Sequence, residues 1–169
     1  MPQTGPHSTP SGAARELLAE LYRVATEAVN PGPALAARLR ALSPASGSGP
    51  WILALGKAAM PMARAAVEVL HEHGAEPAGG LIVAPQAGDS PHPRLPVVAG
   101  DHPEPGPGSL AAANALGEVA SRVRAGDEVW VLLSGGTTSL IGAPESGISP
   151  RDLTALYALL LGSGLDITA

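Results

Sequence analysis

The sequence ILALGKAAMPMARAA, residues 52–66, predicts a buried strand that leads directly into a helix. The preceding residue extends the apolar run to WILAL, residues 51–55, which is short and continuous, as in a strand buried on both faces. Residues 57–73 then follow a helical pattern. Gly56 and Lys57 lie at the junction, so this stretch predicts both a core element and a polar turn.

The same alternation of strands and helices continues along the chain. Further strands are predicted at residues 79–85, 97–100 and 128–136, and further helices at 13–29, 33–42, 110–124 and 150–162. Continuous apolar strands alternating with helices indicate an α/β fold: an open, mostly parallel, Rossmann-like sheet with helices on both faces. Residues 1–12, rich in Pro, Ser, Thr and Gly, predict a disordered lead-in, so the domain is expected to span residues 13–169.

Composition excludes several classes of protein. The chain has 169 residues, of which 45% are hydrophobic, as in a globular domain. Its net charge is −5 and its ten basic residues are scattered, which argues against nucleic-acid binding. No run of 18 apolar residues predicts a membrane span, and the N-terminal residues do not resemble a secretory signal. No cysteine is present, and a cytoplasmic location is the expectation.

Chemistry is expected at the turns that follow the strands, because ligands of open parallel sheets bind at the carboxyl ends of the strands. Three turns carry suitable residues: Gly56–Lys57, Asp101–His102 and Ser134–Ser139.

Lys57 is predicted at the first turn of a helix. The helix dipole disfavours a cation there by about 0.3–1 kcal/mol, and a bound anion would reverse that sign. Gly56 lets the backbone approach a ligand closely, and free N–H groups together with the ammonium would form a phosphate or carboxylate site. The alternative is that Lys57 simply extends into solvent. The stretch does not match the Walker A pattern.

The second turn is LLSGGTTSL, residues 132–140. Gly135 and Gly136 permit backbone conformations in which successive N–H groups form an anion-binding nest. Hydroxyl groups that could add donors are those of Ser134, Thr137, Thr138 and Ser139. The alternative is a tight turn followed by a helix cap. The pattern also differs from the G-x-G-x-x-G dinucleotide fingerprint.

The third turn contains Asp101 and His102, directly after a predicted strand. Both side chains could bind substrate hydroxyls or accept a proton. Spacing alone favours a plainer interpretation, in which Asp101 caps a turn and His102 is half-exposed. The other histidines inside the predicted domain are isolated in sequence, and no metal site is expected from them.

Taken in order, these motifs resemble the glycerate 2-kinase family, whose members are often labelled hydroxypyruvate reductase. The matching pieces are ELLAELYRVATEAVNP, ALGKAAMPMARAA, VVAGDHPEPGPGSLAAANAL and LLSGGTTSLIGAPESGISPRDLTALYALLLGSGLDI. Their order and spacing extend the resemblance over residues 13–167.

The resemblance implies ATP-dependent phosphorylation of D-glycerate to 2-phosphoglycerate, in a cleft between two α/β domains. It places the family's active-site lysine at Lys57, in contact with the glycerate carboxylate or the transferred phosphoryl group. Together with the reasoning on the three turns, substrate or phosphate binding is expected at Gly56, Asp101, His102, Ser134, Gly135, Gly136, Thr137, Thr138 and Ser139. ATP and Mg²⁺ are the implied cofactors, with the Mg²⁺ ligands expected mainly outside this chain.

Two departures from the family pattern matter. Thr137 stands where the family usually has a third glycine, and a β-branched residue would be strained there if the position needs a positive φ.

Family members are also much longer, which predicts that this chain is an N-terminal fragment, inactive as a kinase by itself. The alternatives are a non-catalytic anion-binding module and a hydroxypyruvate reductase, the latter disfavoured by the missing dinucleotide fingerprint. A shortened sheet is further expected to leave an exposed edge strand and a marginal or aggregating domain.

Overall fold

The computed structural model describes residues 12–42 and 49–164. The predicted lead-in lies outside the described residues except for Gly12, which begins the first helix. The chain divides into two compact units, Met1–Asn30 and Pro31–Ala169. In the first unit, helix α1 (Gly12–Ala28) confirms the predicted helix and buries none of its residues.

The second unit contains the remaining helices and the sheet. Its elements are α2 (Pro31–Leu42), β1 (Trp51–Leu55), α3 (Ala59–Glu72), β2 (Gly79–Ala84), β3 (Val97–Ala99), α4 (Pro107–Ala120), β4 (Val129–Leu133), α5 (Thr137–Leu140) and α6 (Pro150–Gly162). The four strands form one sheet in which every pairing is parallel. The predicted α/β fold is therefore confirmed, and the short helix α5 is the element that the sequence did not predict.

The strand order is β3-β2-β1-β4. The chain moves outward from β1 through β2 to β3, then crosses back to place β4 on the other side of β1. The direction of winding thus reverses between β1 and β4, where Leu55 pairs with Leu133 at the carboxyl ends of the strands. In an open parallel sheet this reversal opens a crevice, and the crevice is the usual ligand site.

Helices cover both faces of the sheet, because alternate side chains of the central strands point to opposite sides. On one face, Ile52 and Ile82 pack in a cluster with residues of α2 and α3. On the other, Leu81 and Val83 pack with residues of α4. Trp51–Leu55 and Gly79–Ala84 are thus apolar throughout because each strand has a core on each side.

Helix boundaries differ from the prediction at two places that matter for the site. Helix α3 begins at Ala59, so Lys57 precedes the helix instead of lying in its first turn. Helix α4 begins at Pro107, three positions before the predicted start at residue 110, because proline fits the first turn, where its missing N–H costs nothing.

Strand β4 is an edge of the described sheet, and its α4-side face is uncovered. Val131 is 57% exposed and Leu133 is 64% exposed. Helix α6 also buries none of its residues. The predicted exposed edge and apolar faces are therefore present within the described residues.

None of the described helices combines the length and apolarity needed to cross a lipid bilayer.

Candidate anion-binding site

The turns after β1 and β4 are joined directly to each other. The Ser134 N–H donates to the Leu55 carbonyl at 2.9 Å, and the Lys57 N–H donates to the Gly135 carbonyl at 2.9 Å. Gly56 has a φ of +114°, and a Cβ at this position would lie 2.4 Å from Ser134 Oγ. Glycine is therefore required at position 56, both because the backbone has a positive φ there and because Ser134, directly after β4, packs against it.

The backbone amides around Lys57 are not available to a ligand, which corrects the sequence-based expectation. The Ala58 N–H donates to Ser134 Oγ at 3.0 Å. The amides of Gly56 and Ala59 donate to the carbonyls of Val83 and Gly56, at 3.0 and 3.1 Å. Because the Lys57 amide is also bonded, this turn can offer an anion only the ammonium of its side chain.

The free backbone donors lie instead in the glycine-rich turn. Gly136 has a φ of +87° and leads into α5. In the described part of the chain, no acceptor is found for the consecutive amides of Gly135 through Ser139, whereas the Leu140 amide donates to the Gly136 carbonyl. A run of unpaired N–H groups beside a left-handed glycine has the form of an anion-binding nest. The backbone of this turn is compatible with the nest predicted from Gly135 and Gly136, and anion binding there stays a prediction.

The hydroxyl groups of this turn mostly bond within the protein. Ser134 Oγ donates to the Leu55 carbonyl at 3.2 Å while accepting from Ala58. Thr137 Oγ1 donates to the Ser134 carbonyl at 2.8 Å, and the buried Ser139 donates to the Gly136 carbonyl at 3.1 Å. Thr138 is exposed and, among the described residues, its hydroxyl has no partner. Thr138 is thus the hydroxyl with a donor left for a ligand.

Lys57 and His102 flank the same glycine. A Cβ placed on Gly136 would lie 3.1 Å from Lys57 Cγ and 3.1 Å from His102 Cδ2. Both side chains are exposed, and within the described residues the Lys57 ammonium forms no ion pair. An unpaired cation, an imidazole and the nest therefore converge on one point at the switch between β1 and β4.

Asp101 is not directed at this point. Its Oδ2 accepts from the amides of Gly108 and Ser109 at 2.7 and 3.2 Å, so the carboxylate caps the N-terminus of α4. The plainer interpretation of Asp101 fits this geometry, and His102 is exposed.

Ser109 is the residue that the sequence interpretation missed. It is fully buried, its Oγ accepts from the amides of Asp101 and Gly106 at 3.0 and 3.2 Å, and it donates to the Ser139 carbonyl at 2.7 Å. This hydroxyl therefore holds the turn after β3 against the turn after β4. The only signal in the sequence was a serine directly before a predicted helix, which ordinarily indicates local capping.

Thr137 carries no left-handed strain. It is the first residue of α5 and has a right-handed helical backbone, while the positive φ falls on Gly136 before it. Thr137 can thus replace the usual family glycine without distorting the turn.

The described residues do not provide a metal site. Among residues 12–42 and 49–164, no three His, Cys, Asp or Glu side chains are placed together to hold an ion. The Asp101 carboxylate, which is the acid nearest in sequence to His102, already accepts two helix amides. No Mg²⁺ ligand is therefore assigned to this part of the chain.

A parallel sheet with donors and a cation gathered at its switch point defines an α/β protein with a candidate anion site. Residues 17–169 match the model of a family described as "Domain of unknown function (DUF4147)", and the chain belongs to that family. Its relatives include a glycerate 2-kinase of Pyrococcus horikoshii, 36% identical over 69% of this chain, and a D-glycerate 2-kinase of Thermotoga maritima, 30% identical over 90% of it. The resemblance to glycerate 2-kinases is confirmed.

Solved structures agree with this assignment. A crystal structure of a glycerate kinase from Thermotoga maritima matches 94% of this chain with a TM-score of 0.70 and 30% identity. A crystal structure of a Pyrococcus horikoshii protein matches 73% of the chain with a TM-score of 0.61 and 34% identity. The chain spans 26% and 36% of the lengths of the two curated relatives, so it corresponds to about a third of such a protein.

Proposed function

We propose that the site at the ends of β1 and β4 takes part in ATP-dependent phosphorylation of D-glycerate at its 2-hydroxyl group. The single observation that carries the proposal is the meeting of the Lys57 side chain with the unpaired amides of Gly135 through Ser139. Substrate, nucleotide and product of this reaction are all anions, so a cation beside a nest matches their shared chemistry. The names of the relatives supply the substrate.

In the proposed reaction, the 2-hydroxyl oxygen of glycerate attacks the γ-phosphorus of ATP, the bond to the ADP oxygen breaks, and the hydroxyl proton is released to solvent. Negative charge is spread over the oxygens of the transferred group in the transition state. The Lys57 ammonium is proposed to bind the glycerate carboxylate or this group, while the nest amides bind phosphate oxygens without reorganising. His102 and Thr138 would position the substrate from either side of the turn.

A second proposal is a non-catalytic anion-binding module. It needs only the Lys57 cation and the unpaired amides beside it, which can bind an anion without transferring a group. A phosphoryl transfer needs, in addition, groups that hold both the donor and the acceptor.

One set of measurements distinguishes the two proposals. D-glycerate and inorganic phosphate are titrated calorimetrically into the chain, and ADP release is followed with ATP, Mg²⁺ and D-glycerate. Binding with turnover supports the kinase, and binding without turnover supports the module. No binding of either ligand at millimolar concentration contradicts both.

Lys57→Gln tests the proposed cation, because it removes the charge and keeps most of the stem. A charge-assisted hydrogen bond contributes about 1.5–3 kcal/mol, so affinity should fall roughly 10- to 100-fold. Arg64→Gln is the matched control, since Arg64 is an exposed cation on α3 and belongs to none of the three turns. Equal losses in both variants would point to long-range charge and not to a Lys57 contact.

A further inference from the structure

A cavity lies at the end of the sheet opposite to the turn that carries Lys57. It has a volume of about 440 Å³ and opens at the amino ends of β1 and β2, on the face covered by α4. Its walls come from Trp51, the segment Pro93–Pro96 and the last turns of α4. Small-molecule sites are usually clefts of about 300–1,000 Å³, so this cavity has the size of a one- or two-ring ligand.

The indole of Trp51 forms a fixed flat surface in this cavity. Trp51 pairs in register with Gly79, and a Cβ on Gly79 would lie 2.6 Å from Trp51 Cζ3. The glycine therefore lets the ring lie across the neighbouring strand. The indole N–H donates to Asp127 Oδ2 at 3.2 Å, which fixes the orientation of the ring. A planar ring can stack on a surface that is held in this way.

The wall that carries Arg94 is also held in place. The Arg94 guanidinium donates to the Pro77 carbonyl at 3.0 Å, and its backbone N–H donates to His92 Nδ1 at 3.1 Å. Because Nδ1 accepts, the His92 proton lies on Nε2, which donates to the Glu76 carboxylate. The neighbouring Leu95 is fully buried. Little ordering is therefore needed when a ligand binds against this wall.

The charge of the lining favours an acid. Two arginines, Arg94 and Arg122, and one carboxylate, Glu118, line the cavity, so its lining carries one more positive than negative charge in a chain whose net charge is −5. Glu118 and Arg122 are four positions apart on or just beyond α4, yet they form no ion pair within the described residues. The Arg122 guanidinium is thus available to a ligand, and its planar fork matches a carboxylate.

We propose that this cavity binds a small aromatic carboxylate, with its ring stacked on Trp51 and its carboxylate paired with Arg122 and Arg94. The site is independent of the proposed kinase site, since β1 separates the two ends of the sheet by five residues, roughly 16 Å.

The test uses Trp51 as its own reporter. The chain has two tryptophans, so Trp130→Phe leaves Trp51 as the single fluorophore. Benzoate carries both ring and charge, benzamide carries the ring alone, and acetate carries the charge alone. Saturable quenching by millimolar benzoate, with benzamide and acetate at least about tenfold weaker, is the expected result. No saturable change with benzoate, or equal binding of benzamide, overturns the proposal.

Variants locate the binding. Arg122→Gln should weaken benzoate binding at least about fivefold, because it removes the unpaired guanidinium from an exposed position. Arg64→Gln and Lys57→Gln should leave the affinity unchanged. Loss of binding in Lys57→Gln with none in Arg122→Gln would place benzoate at the other end of the sheet and overturn the proposal. Amide chemical shifts of Gly79 and Gly80 give a second readout, since both line the cavity.

Discussion

The hydroxyl of Ser109 donates to the carbonyl of Ser139 across 2.7 Å, and this contact joins two turns that are 30 positions apart. Ser109 also accepts the amides of Asp101 and Gly106, so one buried side chain satisfies three backbone groups. The turn that carries His102 is thereby fixed against the turn that carries the nest.

Ser109→Ala should destabilise the chain by about 1–3 kcal/mol, because buried backbone groups lose their partner. Urea denaturation measures the change. Ser121→Ala is the control: Ser121 is exposed after α4 and bonds only locally, to the Glu118 carbonyl, so it should change stability by no more than about 0.5 kcal/mol. Equal effects of the two substitutions would show that Ser109 does not join the turns.

Gly136→Ala should weaken phosphate and glycerate binding by at least about tenfold. The new Cβ would meet Lys57 Cγ and His102 Cδ2 at 3.1 Å, in a left-handed conformation that costs a non-glycine residue about 1–2 kcal/mol.

Gly135→Ala is the matched control, since a Cβ there meets nothing within 4 Å. Calorimetric titration of both variants compares the two neighbouring glycines directly. If Gly135→Ala weakens binding as much as Gly136→Ala, crowding of Lys57 and His102 is not the cause.

The ion pair between α2 and α3 predicts an acid-dependent loss of stability. The hydrogen bond from Arg40 holds the pKa of the Glu72 carboxyl below its ordinary value of 4.5. A lowered pKa in the folded state adds stability above the ordinary pKa, and this stability is lost as the pH falls through the folded value.

Glu72→Gln should therefore make the free energy of unfolding fall less steeply as the pH is lowered. Glu145→Gln is the control, because Glu145 is exposed and has no described ion pair, and its profile should stay close to that of the parent chain. Added salt should reduce the difference, because the pair is exposed to solvent. If the free energy of unfolding of Glu72→Gln falls with decreasing pH as steeply as that of the parent, the Arg40–Glu72 pair does not contribute to stability.

The uncovered face of β4 predicts self-association. Val131→Lys should raise the concentration at which the chain associates, since a lysine on an edge strand opposes pairing with another copy. Light scattering during size-exclusion chromatography measures this. Val29→Lys puts the same charge on an exposed valine outside the strands and should have little effect. A parent chain that stays monomeric and unfolds reversibly in one sharp transition would contradict the prediction.

The sequence was sufficient for every strand and for every helix except the short α5, although not for the exact starts of α3 and α4, because the signals of these elements are local. The run at residues 51–55 became β1 with the predicted bounds, and the helix predicted at residues 150–162 became α6 with the same bounds. Parallel pairing followed from strands that are apolar on both faces.

The sequence was insufficient for deciding which donors of the site are free. Ser134 and Ala58 bond across 76 positions, and that contact depends on the register between β1 and β4. Local patterns carry no information on register between distant strands, so the free amides were assigned to Lys57 and its neighbours instead of the glycine-rich turn alone. Ser109 was missed for the same reason.

The bond between Ala58 and Ser134 also sets when the anion site can exist during folding. Strands β1, β2 and β3 are consecutive in the chain, whereas β4 must close a long loop before it pairs with β1. Contacts of such high sequence separation form slowly. A folding intermediate that contains only the first three strands would have a hydrophobic core but no nest, so anion binding would appear in step with the docking of the last strand and would serve as a kinetic probe of it.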